Sequence, residues 1–364
     1  MTAGIPGTPD QVTPAWLTEV LGAPVDAAEV TPIGTGQTGA TYRIAVTYSG
    51  ATDLRGATDL RGATDLPGSF VVKLPAQDDA VRGRVALSYR SEHAFYTELA
   101  GTLDVPLPRC YHCAMTGDGE QFVLLLADMA PAEQADQIRG CTTEEARLAV
   151  TALAGLHGPR WCDPALLTLA ATVMPKPDEP TARGLGDITV LAAQTTLDKL
   201  GSRMSAEDID TVLESAGLVG DWLLRAPERF SLLHGDYRAD NLLFDPQRTR
   251  VTVVDWQTLA VGLPARDLAY FVATSLAPED RAAAERELVA RYHGALGGYL
   301  GDYDPESCWN DYRFGMLQVP MITTLGFAFS AATDRGDDMS LAMLQRGARA
   351  IRELGTLELI RDIG

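Results

Sequence analysis

His234-Gly235-Asp236-Tyr237-Arg238-Ala239-Asp240-Asn241 decides how this chain is read, and Val253-Val254-Asp255-Trp256-Gln257 completes it. An Asp and an Asn five positions apart on a loop supply a base and a metal ligand facing one phosphoryl site. Asp255 ends the apolar run 251–254. A carboxylate at a strand's end, outside the sheet, is well placed to coordinate magnesium through oxygen. Singly, each of these residues reads as a loop-capping or solvated group. In this order and spacing they read together as a phosphoryl-transfer site.

Outward from that stretch, Lys73 stands in the apolar run 70–74, and Lys73, Lys176 and Lys199 are the only lysines in the chain. A lysine inside an apolar strand needs a partner. Glu92, on the helix expected to follow, is the natural one, leaving Lys73 to hold ATP phosphates. Gly34, Gly36 and Gly39 form a glycine-rich turn between two strand-like runs, where backbone N–H groups approach phosphate closely. A strand rather than a helix follows, so this is no dinucleotide fingerprint. The hexapeptide ATDLRG then occurs twice from Ala51 and returns as ATDLPG from Ala63. Its polar, glycine-punctuated composition suits an exposed hairpin insertion over 51–68, and its removal leaves ordinary hairpin spacing between Gly39 and Lys73.

Composition bounds the rest. The chain has 364 residues, 46% hydrophobic and 22% charged, with net charge -19. These values predict a globular, soluble chain of two unequal lobes and argue against a nucleic-acid partner. The acidic surface also suits a cationic substrate. Five cysteines, an odd count, with no secretory signal pattern, point to a reducing, cytoplasmic compartment. Cys110 and Cys113 lack a second pair to complete a zinc site. Residues 314–333 carry no charge, yet Pro320 and several Gly, Thr and Ser make them a buried helix pair broken at Pro320 rather than a membrane span.

Periodicity predicts a helix from Pro14 to Leu21 capped by Thr13, and two strands between Thr31 and Tyr48. It then predicts a strand over 70–74, a helix over 88–99 and a strand over 122–126. Thr142 and Glu145 form a capping box for a helix ending at His157. A strand pair brackets Asp245-Pro246, and helices fill most of the remainder. Strands first and helices later give an α+β chain. The division is a mainly β N-lobe over 1–125, a hinge at 126–130 and a mainly α C-lobe over 131–364.

HGDYRADN followed by VVDWQ resembles the paired motifs of the aminoglycoside phosphotransferases and their ecdysteroid-kinase-like and choline-kinase-like relatives. The resemblance runs over nearly the whole chain and implies a two-lobed, protein-kinase-like fold using ATP and Mg²⁺. By similarity, Asp236 orients and deprotonates the acceptor hydroxyl, Asn241 and Asp255 bind Mg²⁺, and Lys73 and Glu92 match the strand lysine and helix glutamate. The backbone of Ala127 and Met129 would meet adenine, with Ala127 where relatives often carry Glu. His234 and Asp267 read as supports of the catalytic loop. The expected acceptor is a small-molecule hydroxyl, aminoglycoside-like or another secondary-metabolite alcohol. A peptide kinase and a nucleotide-binding pseudokinase scaffold are the alternatives. No Ala-Pro-Glu segment follows Asp255 to dock a peptide. Asp302, Asp304 and Glu306, with Asp334, Asp337 and Asp338, either bind a cationic acceptor or form a solvated face. The acceptor's identity and the oligomeric state stay open at this level.

Overall fold

The computed structural model describes residues 4–33, 39–48, 66–78, 82, 85–117, 119–169, 173–330 and 332–362. Gly34, Gly36 and most of the hexapeptide repeat lie outside the described residues. The chain divides into two units, 1–101 with 107–130, and 102–106 with 131–364.

In the first unit, helix α1 (Pro14–Leu21) begins at Thr13, whose hydroxyl accepts from Trp16 N, and ends at Gly22 with φ +65°. Five antiparallel strands follow: β1 (Val25–Pro32), β2 (Gly39–Tyr48), β3 (Ser69–Pro75), β4 (Cys110–Met115) and β5 (Phe122–Ala127). They are ordered β1-β2-β3-β5-β4. β1 starts six residues before the expected Thr31, since a register shift between Val25 and Ala27 interrupts its alternation.

Alternation on β3 fixes where Lys73 points. Phe70, Val72 and Leu74 are buried on one face, packed with Trp16, Leu17 and Ile44. Each such side chain, fully buried, contributes roughly 1.5–3 kcal/mol. Lys73 therefore projects to the other face, toward helix α2 (Ala86–Ala94), which carries Glu92. β5 is buried on both faces: Val123 and Leu125 join the first core, and Phe122, Leu124 and Leu126 join Tyr89 of α2. The helix expected over 88–99 gives way at Phe95 to a wider turn through Leu99.

In the second unit, β6 (Glu133–Gln134) precedes α3 (Thr143–His157), which has the expected capping box: Thr142 Oγ1 accepts from Glu145 N, and Glu145 accepts from Thr142 N. Helices α4 (Glu179–Leu200) and α5 (Ala206–Leu224) form a hairpin, and four short strands then carry the loops of interest. β7 (Ser231–Leu233) pairs with β10 (Ala260–Gly262), while β8 (Leu242–Phe244) pairs with β9 (Val251–Val253) and β6. The remaining helices are α6 (Ala265–Ser275), α7 (Pro278–Leu296), α8 (Pro305–Phe314), α9 (Gln318–Phe329), α10 (Asp334–Glu353) and α11 (Thr356–Asp362).

No helix among the described residues is long and apolar enough to cross a membrane. Within the uncharged 314–333 segment, Phe314 ends α8, Gly315–Leu317 form a short 3-10 turn and Gln318–Phe329 form α9. The break thus falls before Pro320, which sits in the first turn of α9, where a missing N–H costs nothing. Gly315, in that turn, packs closely on α6: a Cβ there would stand 2.6 Å from Ala265 O.

Candidate active site

β7 delivers the chain to His234 and Gly235, and Asp267 of α6 holds it there. Asp267 is fully buried; its Oδ2 accepts from His234 N (2.7 Å) and its Oδ1 from Gly235 N (3.0 Å). His157 Nε2 lies 3.3 Å from the same Oδ2, and His157 Nδ1 is 2.7 Å from Tyr292 Oη. Gly235 has φ +82°, and a Cβ would fall 2.1 Å from Thr258 O. No other residue fits that turn without moving backbone.

His234 works as a brace. Its Nε2 donates to Val254 O (3.1 Å) and its Nδ1 accepts from Asp236 N (3.4 Å), a pattern that assigns the Nε2–H tautomer. Val254 N in turn donates to Asn241 O at 3.0 Å. Both polar groups of the Val254 peptide are thus bound to the loop 234–241, and the next residue is Asp255. Asp255 has φ +72°, rare for a residue with a Cβ and costing on the order of 1 kcal/mol. Strain of that kind, held by surrounding hydrogen bonds, concentrates where a side chain must be aimed.

Three donors orient the Asp236 carboxylate. Tyr270 Oη donates to Oδ1 at 3.0 Å, Arg238 Nε to Oδ2 at 2.9 Å, and Asn241 Nδ2 to Oδ2 at 3.2 Å. Burial, and then the negative charge of Asp236, push the Tyr270 phenol well above its ordinary value, so it remains a donor. Burial works against the Arg238 charge, but the neighbouring carboxylates outweigh it and raise the guanidinium above its usual range. Arg238 Nη1 also reaches Asp240 Oδ2 (3.1 Å), and Arg335 of α10 grips both Asp240 oxygens at 3.1 Å. Burial alone would raise the Asp240 carboxyl; the Arg335 hydrogen bond, the Arg238 charge and the Gln137 N–H instead hold it below its ordinary value. Asn241 Nδ2 also donates to Asp236 O at 2.8 Å, which leaves its amide oxygen as the atom suited to a cation.

In the first unit, Lys73 Nζ meets Glu92 Oε1 at 2.6 Å, with Glu92 buried. Ala127 ends β5, and its N–H is donated to Arg109 O at 2.8 Å. The neighbouring Asp128 accepts from Arg43 (2.7 Å), Ser69 (2.6 Å) and Ala130 N (3.1 Å). Burial alone would raise its carboxyl, but these hydrogen bonds hold it below the usual range. Cys110 and Cys113 are free thiols, with burial pushing Cys110 up to about 11 and Cys113 higher still. Among the described residues no group of three or more His, Cys, Asp or Glu is gathered as a metal cluster.

The sequence reading missed Tyr270, Arg238 and Asp128. Tyr270 is carried by an apolar helix 34 residues beyond Asp236, with no local signal. Arg238 and Asp240 stood inside the motif without an assigned role. Three of the six acidic groups have partners within the chain: Asp304 caps α8 by accepting from Ser307 N (2.8 Å), Asp337 pairs with Lys199 (2.7 Å), and Asp338 pairs with Arg203 (2.7 Å). Trp309, Tyr312 and Phe314 are core residues.

Residues 30–305 match the phosphotransferase enzyme family. The chain belongs to that family. Human acyl-CoA dehydrogenase family member 11 is 40% identical over 58 residues, which is 15% of this chain and 7% of that protein. The chain therefore matches only a small part of the length of this curated relative. Among solved structures, an ethanolamine kinase of Plasmodium vivax superposes with TM-score 0.50 at 11% identity, covering 93% of this chain and 83% of that one. A choline/ethanolamine kinase family protein of Mesorhizobium loti gives TM-score 0.48 at 17% identity, covering 92% of each chain. The phosphotransferase fold is kinase-like, with an antiparallel sheet in the N-terminal part and mostly helices in the C-terminal part.

Proposed function

We propose that this phosphotransferase uses ATP and Mg²⁺ to phosphorylate a hydroxyl of a small molecule, with Asp236 as the base. The observation that carries this reading is the triple hold on the Asp236 carboxylate by Tyr270, Arg238 and Asn241. Oδ2 already accepts two of those bonds and Oδ1 only one, so the acceptor hydroxyl is assigned to Oδ1. There Asp236 orients the hydroxyl and takes its proton as the oxygen bonds to the γ-phosphorus. The bond from that phosphorus to the β–γ bridging oxygen breaks, and ADP leaves with the bridging oxygen.

The residues present fit magnesium. The Asn241 amide oxygen and the strained Asp255 carboxylate are hard oxygen donors on adjoining segments, joined by the Val254–Asn241 backbone bond. Two protein ligands suit a cation that completes its shell with phosphate oxygens and water. When bound, magnesium neutralises charge on the transferring phosphoryl group. Lys73, set by Glu92, binds nucleotide phosphate as a point charge. Adenine recognition falls to the Ala127 carbonyl, since the Ala127 N–H is committed, and to the Met129 backbone, with Asp128 fixing the segment. Gly34, Gly36 and Gly39 complete the phosphate contacts in this reading.

A panel of small alcohols, amino sugars and amino alcohols, scored for ADP release above the no-acceptor background, tests the assignment. The expected result is at least one acceptor whose turnover disappears in Asp236→Asn. Labelling of peptides alone, dependent on Asp236, would replace the small-molecule reading.

A further inference from the structure

Asp240, between Asp236 and Asn241 in the chain, accepts four hydrogen bonds. Gln137 N (2.9 Å) and Arg335 Nη2 (3.1 Å) reach its Oδ1, while Arg238 Nη1 (3.1 Å) and Arg335 Nη1 (3.1 Å) reach its Oδ2. Arg238 is shared, because its Nε also holds Asp236 Oδ2 at 2.9 Å. Two carboxylates and two guanidinium groups thus alternate in a row from Asp236 outward. Arg335 ends the row, its side chain 51% exposed where that of Asp240 is 6% exposed. An ion pair with one partner that exposed adds little to stability. A guanidinium that grips both oxygens does fix the orientation of the carboxylate it holds.

The start of α10 is built to keep Arg335 in place. Thr333 Oγ1 caps the helix by accepting from Gly336 N at 3.0 Å. Arg335 and Met339, four residues apart, share one helix face. That face meets the loop 234–241 twice, since Arg238 Nη1 also donates to Met339 Sδ at 2.9 Å. Asp337 and Asp338 pair instead with Lys199 and Arg203, each at 2.7 Å. The first turns of α10 are therefore fastened between the end of α4 and the loop that carries Asp236.

We propose that Arg335 is a positioning residue for the phosphoryl transfer, acting through Asp240 and Arg238 to set the Asp236 carboxylate. This rests on Asp236 being the base. Its physical content is competition for Arg238. With Arg335 present, Asp240 has a cation of its own, and Arg238 Nε stays on Asp236. Without Arg335, the buried Asp240 keeps Arg238 as its only ion-pair partner among the described residues. A buried carboxylate short of a partner is costly, so the Arg238 guanidinium turns toward Asp240 and loosens from Asp236. Tyr270 and Asn241 still hold Asp236, which makes the loss partial.

The test combines crystal structures and kinetics of the full chain. In crystals of Arg335→Met, Arg238 Nε should lie beyond about 3.5 Å from Asp236 Oδ2, no longer a hydrogen bond. ADP release is read with water as the acceptor and with every hydroxyl compound that the panel turns over. In Arg335→Met, kcat should fall roughly ten-fold while ATP affinity by calorimetry changes less than about two-fold. Arg335→Lys keeps the charge without the two-pronged grip, and should lose only about three-fold. In an Arg238→Met background, adding Arg335→Met should cost less than about two-fold more, since the intermediary is already gone. A merely structural arginine would move Tm and leave kcat alone. An unmoved Arg238 in the Arg335→Met crystals would overturn the proposal. So would an unchanged kcat beside a strong loss in Asp236→Asn, or an equal loss from Arg335→Met with and without Arg238. Normal turnover in Asp236→Asn would instead remove the base itself, and the crystal distance would still decide whether Arg335 sets that carboxylate.

Discussion

The Tyr270 hydroxyl donates to Asp236 Oδ1 at 3.0 Å, joining a buried helix to the carboxylate at the centre of the motif. Burial and then the Asp236 charge push that phenol well above its ordinary value, so at neutral pH it stays protonated and able to donate. Tyr270→Phe removes one hydrogen bond to a charged group, worth about 1.5–3 kcal/mol. The expected outcome is a kcat lowered roughly ten-fold or more, with little change in KM for ATP. A variant with unchanged kcat would mean that Tyr270 does not position the base.

Asp267 anchors the loop from below through two backbone N–H groups and sits against His157. Asp267→Ala leaves those buried donors unmatched, so unfolding free energy should fall by about 3 kcal/mol. Denaturant unfolding measures this directly. A loss under 1 kcal/mol would show that water replaces the carboxylate at no cost.

The motif was legible because it is contiguous: Asp236 and Asn241 lie within six residues, and the apolar run before Asp255 marks its strand. Asp267 was also readable, from its place in Arg266-Asp267-Leu268. What escaped depends on contacts between distant segments. Tyr270 looks like one more apolar helix residue, and only folding sets it over Asp236. The strain at Asp255 arises from Val254 being pinned by His234 and Asn241, which no local pattern encodes. The helix break falls at Gly315–Leu317 and not at Pro320, which the first turn of α9 accommodates. Secondary structure with strong local signals, such as the Thr142–Glu145 capping box, matched to the residue.

Lys73 and Glu92 allow a test that needs no acceptor. Lys73→Met removes the positive charge proposed to hold nucleotide phosphate, and ATP affinity measured by calorimetry should drop at least ten-fold. Glu92→Gln should weaken binding less, since the lysine charge survives with poorer orientation. Undiminished ATP affinity in Lys73→Met would remove Lys73 from the nucleotide site.

Asp128 makes a pH prediction. Its carboxyl is held below the ordinary value in the folded chain, so its contribution to stability is fully present above the unfolded pKa, about 3.9. That contribution is lost as pH falls through the lower folded value. The stability gap between the unsubstituted chain and Asp128→Asn should be constant near neutrality and close as pH drops below about 4. Urea midpoints across that range check it; a gap that widens on acidification would reverse the sign.

The central claim is that Asp236 is the base of a phosphoryl transfer, and Asp236→Asn tests it most directly. Asparagine keeps the size of the side chain but cannot take the acceptor's proton. With an acceptor from the hydroxyl panel, turnover should fall by roughly two or more orders of magnitude while ATP affinity stays near normal. Near-normal turnover in Asp236→Asn would contradict the account.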